Sequence, residues 1–227
     1  MRKIAVIGLG RFGMALARQL AAAGTQVIAI DRSGQLIADI KDDVDIAVRL
    51  DATDEGALAS QEIDQVDVCV VAIGENFEAS LLATVIVKKL GVRFVVCRAQ
   101  TQFHAEIFRQ IGADEVIQPE TQTGEHLARK LANPHLEDFI QLADGYTLIE
   151  IEAPQAFHNK TLHAIGLRAK YHVNLIAIKR TTLVQGEDGE EQAKVDARVP
   201  KPNDTIRSDD VLVLVGSDED LAKLPKE

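Results

Sequence analysis

Six short apolar runs alternate with helix-like segments before Pro119, and this alternation restricts the fold more than any other feature. The runs are Lys3–Ile7, Gln26–Ile30, Ile46–Leu50, Val68–Ala72, Phe94–Cys97 and Glu115–Ile117. They are rich in Val and Ile and lack polar alternation, the pattern of strands covered on both faces. Between them, Phe12, Leu16 and Leu20 recur at helical spacing, as do Leu81, Leu82, Val85, Ile86 and Leu90. Gly24, Gly91 and Gly112 follow such segments where a helix ends. The alternation predicts an α/β fold, a Rossmann-like doubly wound parallel sheet.

The first strand leads into Gly8-Leu9-Gly10-Arg11-Phe12-Gly13, and a helix pattern follows. G-x-G-x-x-G between a strand and a helix is the dinucleotide-binding arrangement. Gly8 permits the tight turn, Gly10 lets backbone N–H groups approach a diphosphate, and Gly13 lets the helix pack close to the strand. The helix dipole then favours an anion at its N-terminus. Asp31 ends the second strand 18 residues after Gly13, where a carboxylate takes the ribose hydroxyls. Arg32 follows it, but Asp31 argues for an unphosphorylated 2′-hydroxyl and against NADP. Asp51-Ala52-Thr53 and Ala72-Ile73-Gly74 end the third and fourth strands and point to the same crevice. Asp51 reads equally well as a cap for a short helix over Asp54–Leu58.

After Pro119 the order changes. Thr121 to Leu131 reads as a helix ended by Asn133-Pro134, and Leu136 to Leu142 as a second short helix. This divides the chain into a nucleotide-binding domain over 1–120, a helical crossover over 121–142 and a smaller α+β domain over 143–227. In the last, Thr147–Ala153 is a strand, Lys160–Tyr171 a helix and Val173–Lys179 a strand. Leu183–Lys194 reads as a polar loop, with the acidic Gly186–Glu191 stretch solvated in a hairpin. Val211–Val215 is a last strand and Asp218–Leu224 a closing helix. So small a domain has a limited core, which predicts pairing with a copy of itself.

A formal net charge of −10 argues against a nucleic-acid partner. No window reaches about 18 uninterrupted apolar residues, so no membrane span is expected. The N-terminus shows no secretory leader, and a cytoplasmic location is expected. Cys69 and Cys97 lie inside strand runs and read as buried thiols of a reducing compartment. His104, His126, His135, His158, His163 and His172 form no metal-ligand pattern and none ends a strand of the sheet. No nucleophile elbow, H-E-x-x-H or Walker lysine appears. A small NAD-dependent oxidoreductase or a soluble NAD(H) redox sensor is the alternative reading, and the first lacks an acid/base.

Ala5 to Gly13 resembles the N-terminus of RCK proteins, the regulators of potassium conductance, above all the KtrA/TrkA-type subunits of bacterial potassium uptake systems. Asp51-Ala52-Thr53-Asp54-Glu55, Val70 to Asn76, Arg98-Ala99-Gln100, Ile111 to Asp114 and Pro119-Glu120 agree in order. Gly166 to Tyr171, Val173-Asn174 and Ala177 to Arg180 resemble the C-terminal RCK domain. The resemblance implies a non-enzymatic regulatory subunit. Its dimers assemble into an octameric ring beneath a membrane-embedded potassium transporter of KtrB/TrkH type. ATP, ADP or NAD(H) would occupy the nucleotide site and change the ring. It implies that Arg11 reaches the terminal phosphate in a neighbouring subunit, that Arg98 holds a position basic in relatives, and that Glu120 helps bind a divalent cation, Mg or Ca. It further implies a cyclic di-AMP site at Arg168 and Asn174 with Ile165 as an apolar wall, although Gly166 stands where many such binders carry Asp or Asn.

Overall fold

The fold comes from a computed structural model and is described for residues 2–185 and 191–225. The first half runs β1 (Lys3–Ile7), α1 (Arg11–Ala22), β2 (Gln26–Asp31), α2 (Gly34–Ile40), β3 (Ile46–Arg49), α3 (Glu55–Ala59), β4 (Val68–Val71), α4 (Phe77–Lys89), β5 (Val95–Arg98), α5 (Gln102–Gln110) and β6 (Glu115–Ile117). The six strands are parallel in the order β3-β2-β1-β4-β5-β6. Alternate residues of each strand face opposite sides. Ala5, Ile7, Ile28 and Ile30 enter one core, and Ile4, Val6, Val27 and Ala29 enter the other. Both faces are therefore covered, which explains the missing polar alternation. Cys69 and Cys97 are buried free thiols in the first core. Burial pushes the Cys97 thiol up to about 11 and raises Cys69 as well, so both act as small apolar side chains.

α6 (Pro119–Ala132) begins in one compact unit, Met1–Gly124, and ends in the other, Glu125–Glu227. The second unit adds β7 (Leu136–Ala143), β8 (Tyr146–Glu152), α7 (Leu162–Ile165), α8 (Leu167–Tyr171), β9 (Asn174–Gln185), β10 (Glu191–Arg198), β11 (Asp210–Ser217) and α9 (Asp218–Leu221). Its sheet is antiparallel in the order β10-β9-β11-β8-β7. Ile149, Ile151, Ile178, Leu212 and Leu214 line the core face, under Phe157, Ile165 and Leu167. Asp210 is 1 % exposed and takes a forked pair of bonds from Arg180, at 2.7 and 2.9 Å, and a third from the Arg207 N–H.

Three expectations are corrected here. Leu136–Leu142 is a strand, not a helix. Its register shifts twice, between Leu136 and Asp138 and between Gln141 and Ala143, and the bulges break the two-residue alternation that marks a strand. Leu183–Lys194 is not a loop throughout: β9 and β10 pair along it, Leu183 opposite Ala193. Ala193 to Arg198 are all exposed, so the polar composition reflects a solvated hairpin arm. Of the acidic Gly186–Glu191 stretch, residues 186–190 lie outside the described residues. Lys160–Tyr171 is two short helices, because Gly166 adopts a left-handed φ of 67° and ends α7.

Candidate functional site

The chain turns outward on opposite sides of β1, so β1 and β4 flank the point where the strand order reverses. Ligands of open α/β sheets bind there, at the carboxyl ends of the strands. Gly8 sits at φ 94°, and a Cβ on it would lie 2.8 Å from the Ile73 nitrogen. At Gly13 a Cβ would stand 1.9 Å from the Gly8 oxygen, so α1 packs against the loop at a distance only glycine allows. A Cβ on Gly10 would meet nothing within 4 Å, because this residue faces open cleft. Ser33, Asp54, Asn76 and Thr101 cap α2 to α5 with side-chain oxygens. α1 begins at Gly10 with no such cap, which leaves its first N–H groups for an anion.

Asp31 is held in place by the same loop. Its Oδ2 accepts from the Leu9 N–H at 2.7 Å and its Oδ1 from the Ser33 N–H at 2.8 Å. A carboxylate has about four acceptor positions, so capacity remains for two ribose hydroxyls. Arg32 is exposed beside it, its carbonyl accepting from Arg49 Nε. Asp51 does not cap α3; Asp54 does, through the Ala57 N–H. Asp51 instead accepts from the Thr53 N–H and hydroxyl, at 2.9 and 2.7 Å, which hold its carboxyl below the ordinary carboxylate range.

Arg98 ends β5 and is largely covered, its side chain 16 % exposed. A Cβ on Gly74 would stand 2.0 Å from Arg98 Nη1, so the guanidinium lies in the space a side chain at 74 would fill. Arg98 Nη2 donates to Glu120 Oε1 in the first turn of α6, and this bond is the main reason the Glu120 carboxyl is lowered. Arg98 Nε is buried without a partner among the described residues.

These groups converge on one cleft of about 840 Å³, within the size range of small-molecule sites. Gly8, Gly10, Arg11, Phe12, Asp31, Arg32, Asp51, Ala52, Thr53, Ala72, Ile73, Gly74, Arg98 and Glu120 all line it. Gly13 does not; it acts beneath the loop. Ser33, Asn76, Ala79, Leu82 and Gln100 also line it and were not expected from sequence. Ser33 and Asn76 are helix caps beside a strand end, a signal that sequence carries, whereas nothing in sequence aims Leu82 at the cleft.

The second ligand set is not assembled in the same way. Arg168 and Asn174 meet through a hydrogen bond from Arg168 Nε to Asn174 Oδ1. Ile165 is 4 % exposed within the core of the second unit. At Glu120, Arg98 already takes the carboxylate, and no group of three His, Cys, Asp or Glu side chains suited to a metal occurs among the described residues.

Residues 4–119 match the family model of the TrkA-N domain. The chain belongs to the TrkA-N family. Ktr system potassium uptake protein C of Bacillus subtilis (strain 168) is 33 % identical to it, over 99 % of this chain and 96 % of that protein. Ktr system potassium uptake protein A of the same organism is 31 % identical, over 100 % and 96 %. Among solved structures, the GsuK channel bound to NAD is 22 % identical with a TM-score of 0.53, covering 98 % of this chain and 37 % of the channel, a likeness of fold. GsuK bound to ADP is 25 % identical with a TM-score of 0.50, covering 57 % of this chain and 34 % of that one. This TrkA-N chain thus spans nearly the whole of its Ktr relatives and about a third of the channel chains.

Proposed function

We propose that this chain is a nucleotide-binding regulatory subunit of a potassium uptake system, regulatory rather than catalytic. The observation that carries the reading is the uncapped N-terminus of α1 over the glycine loop, with Asp31 bonded to that loop. End-to-end similarity to Ktr potassium uptake proteins supplies the context of potassium transport. Among the described residues no helix is long and apolar enough to cross a membrane, so ion passage falls to a membrane-embedded partner of KtrB/TrkH type. This subunit then acts at the cytoplasmic face.

ATP and ADP are the proposed ligands, and NAD(H) fits the same adenosine and diphosphate positions. The likeness to GsuK bound to ADP supports ADP, and the loop chemistry supports all three. A 2′-phosphate would meet Asp31, which disfavours NADP. Arg11 is exposed at the first position of α1 and is proposed to reach a phosphate held by a neighbouring subunit. Exposed Leu127, Leu131, Ile140 and Leu142 on α6 and β7, and Ile176 and Val195 on the second sheet, favour dimers, which would build the octameric ring. A divalent cation at Glu120 needs further ligands, from phosphate oxygens or a second copy. Cyclic di-AMP at Arg168 and Asn174 likewise needs walls from a second copy.

The test is isothermal titration of the full chain with ATP, ADP, NAD and NADH. Saturable binding of an adenine nucleotide, competed by the others, is expected. Absence of binding by all four would refute the reading.

A further inference from the structure

The antiparallel sheet of the second unit has two edges, β7 and β10, and they differ. An edge carries a row of unpaired N–H and C=O groups, and proteins blunt it with bulges, proline or charge. β7 is blunted, because its register shifts twice. β10 is regular. It pairs with β9 from Glu191 to Arg198 without a shift, and no proline interrupts it before Pro200. Its outer edge is therefore open along a run in which residues 193–199 are all exposed.

The side chains of β10 sort onto two faces. Arg198 stands opposite Ile178, which is buried in the core of the second unit. Lys194, Asp196 and Arg198 thus share the core-side face, and Ala193, Val195 and Ala197 share the other. Lys179, Arg180 and Arg198 each have an ion-pair partner, at Glu150, Asp210 and Asp204. Lys194 and Asp196 have none among the described residues. Asp196 stands opposite Arg180 in the ladder, but the Nε and Nη2 of that guanidinium already donate to Asp210.

We propose that β10 pairs edge to edge with β10 of a second copy, antiparallel and centred on Val195, which joins the two sheets into one. A two-fold axis there sets Val195 opposite itself and Ala193 opposite Ala197 of the partner subunit. It sets Lys194 opposite Asp196 of the partner subunit, and the reverse by symmetry. Both charges gain a partner, and the small apolar side chains of both copies form one row on the other face. A centre one residue away brings Lys194 or Asp196 against its own copy, and like charges directly opposite are unfavourable. A centre between two residues turns the core side of one sheet to the outer side of the other. The charge pattern therefore selects one register and one partner, this chain itself, in an isologous contact. The pairing stands apart from the nucleotide reading and gives the expected dimers one defined contact.

Cross-linking of the full chain under a mild oxidant, read on non-reducing gels, tests it. Cys69 and Cys97 are buried, so an introduced thiol on β10 is the one within reach. Opposite side chains across an antiparallel pair have Cβ atoms about 4.5–5.5 Å apart, close to the reach of a disulfide. Residues four apart along a strand are about 13 Å apart. Val195→Cys, and Ala193→Cys combined with Ala197→Cys, should therefore cross-link about tenfold faster than Ala193→Cys alone. In Val195→Cys, adding Lys194→Glu should slow the reaction about fivefold or more, and adding Asp196→Lys as well should restore it. Equal rates at 193 and 195, or rates that ignore the charge reversal, would overturn the pairing. A strand of another protein on this edge would leave the chain by itself without cross-links at 195, which also overturns it. Sedimentation separates this contact from dimerisation in general. A dimer without selective cross-linking at 195 removes the contact and leaves the dimer standing, whereas a monomer removes both.

Discussion

Gly74 is bare because Arg98 fills the space beside it. The backbone of Gly74 is not left-handed, so an alanine there meets no conformational strain of its own; it meets the guanidinium at 2.0 Å. A flexible side chain yields more cheaply than backbone, so Arg98 should swing away and the fold should persist. Gly74→Ala is therefore expected to weaken ATP binding by about tenfold while costing less than about 1 kcal/mol of stability. Parallel titrations and thermal melts of the two proteins check this. An unchanged affinity would mean that Arg98 takes no part in binding. Glycine 74 was visible in sequence as a strand-end residue, but its reason was not, because Arg98 is distant in the chain and only the pairing of β4 with β5 brings them together.

At the scale of elements, the parallel half was legible because its central strands are buried on both faces and α1, α4 and α5 each run into a glycine. The glycine loop and Asp31 were legible for the same reason: local chemistry dictates them. The antiparallel half was less so. Bulges in β7 scrambled its alternation, and the outer arm of β9 and β10 carries polar side chains because water covers it. What joins that half is long-range, and Asp210 is its clearest case. Arg180 on β9 and the Arg207 N–H both bond this carboxylate at the start of β11. Burial pushes its carboxyl up, but the bonds from Arg180 and Arg207 outweigh burial and hold it below the ordinary value. A lowered folded value stabilises above the unfolded value of about 3.9 and is lost as pH falls through the folded one. Asp210→Asn should thus cost about 2–3 kcal/mol at pH 7, since it leaves Arg180 unpaired, and should flatten the acid side of the stability curve below about pH 4. Urea unfolding followed by circular dichroism from pH 3 to 7 measures both. Equal acid slopes in the two proteins would remove Asp210 from the account.

The whole molecule combines a cleft built by the first unit, a helix shared by both units, and a second sheet with exposed apolar side chains. Charge at this scale was informative from sequence alone, since −10 leaves little basic surface for nucleic acid. The exposed apolar side chains of α6 and β7 were not legible in the same way, because exposure is a property of the folded chain. If Arg11 reads a phosphate in a neighbouring subunit, Arg11→Ala should narrow the difference between the ATP and ADP states without abolishing binding. The most direct measurement is potassium flux into vesicles that hold the membrane subunit of a Ktr uptake system, with this chain added and with saturating ATP or ADP. The account predicts flux that depends on the chain, that differs between the two nucleotides, and whose difference shrinks with Arg11→Ala. Flux that is the same with and without the chain, under either nucleotide, would contradict it.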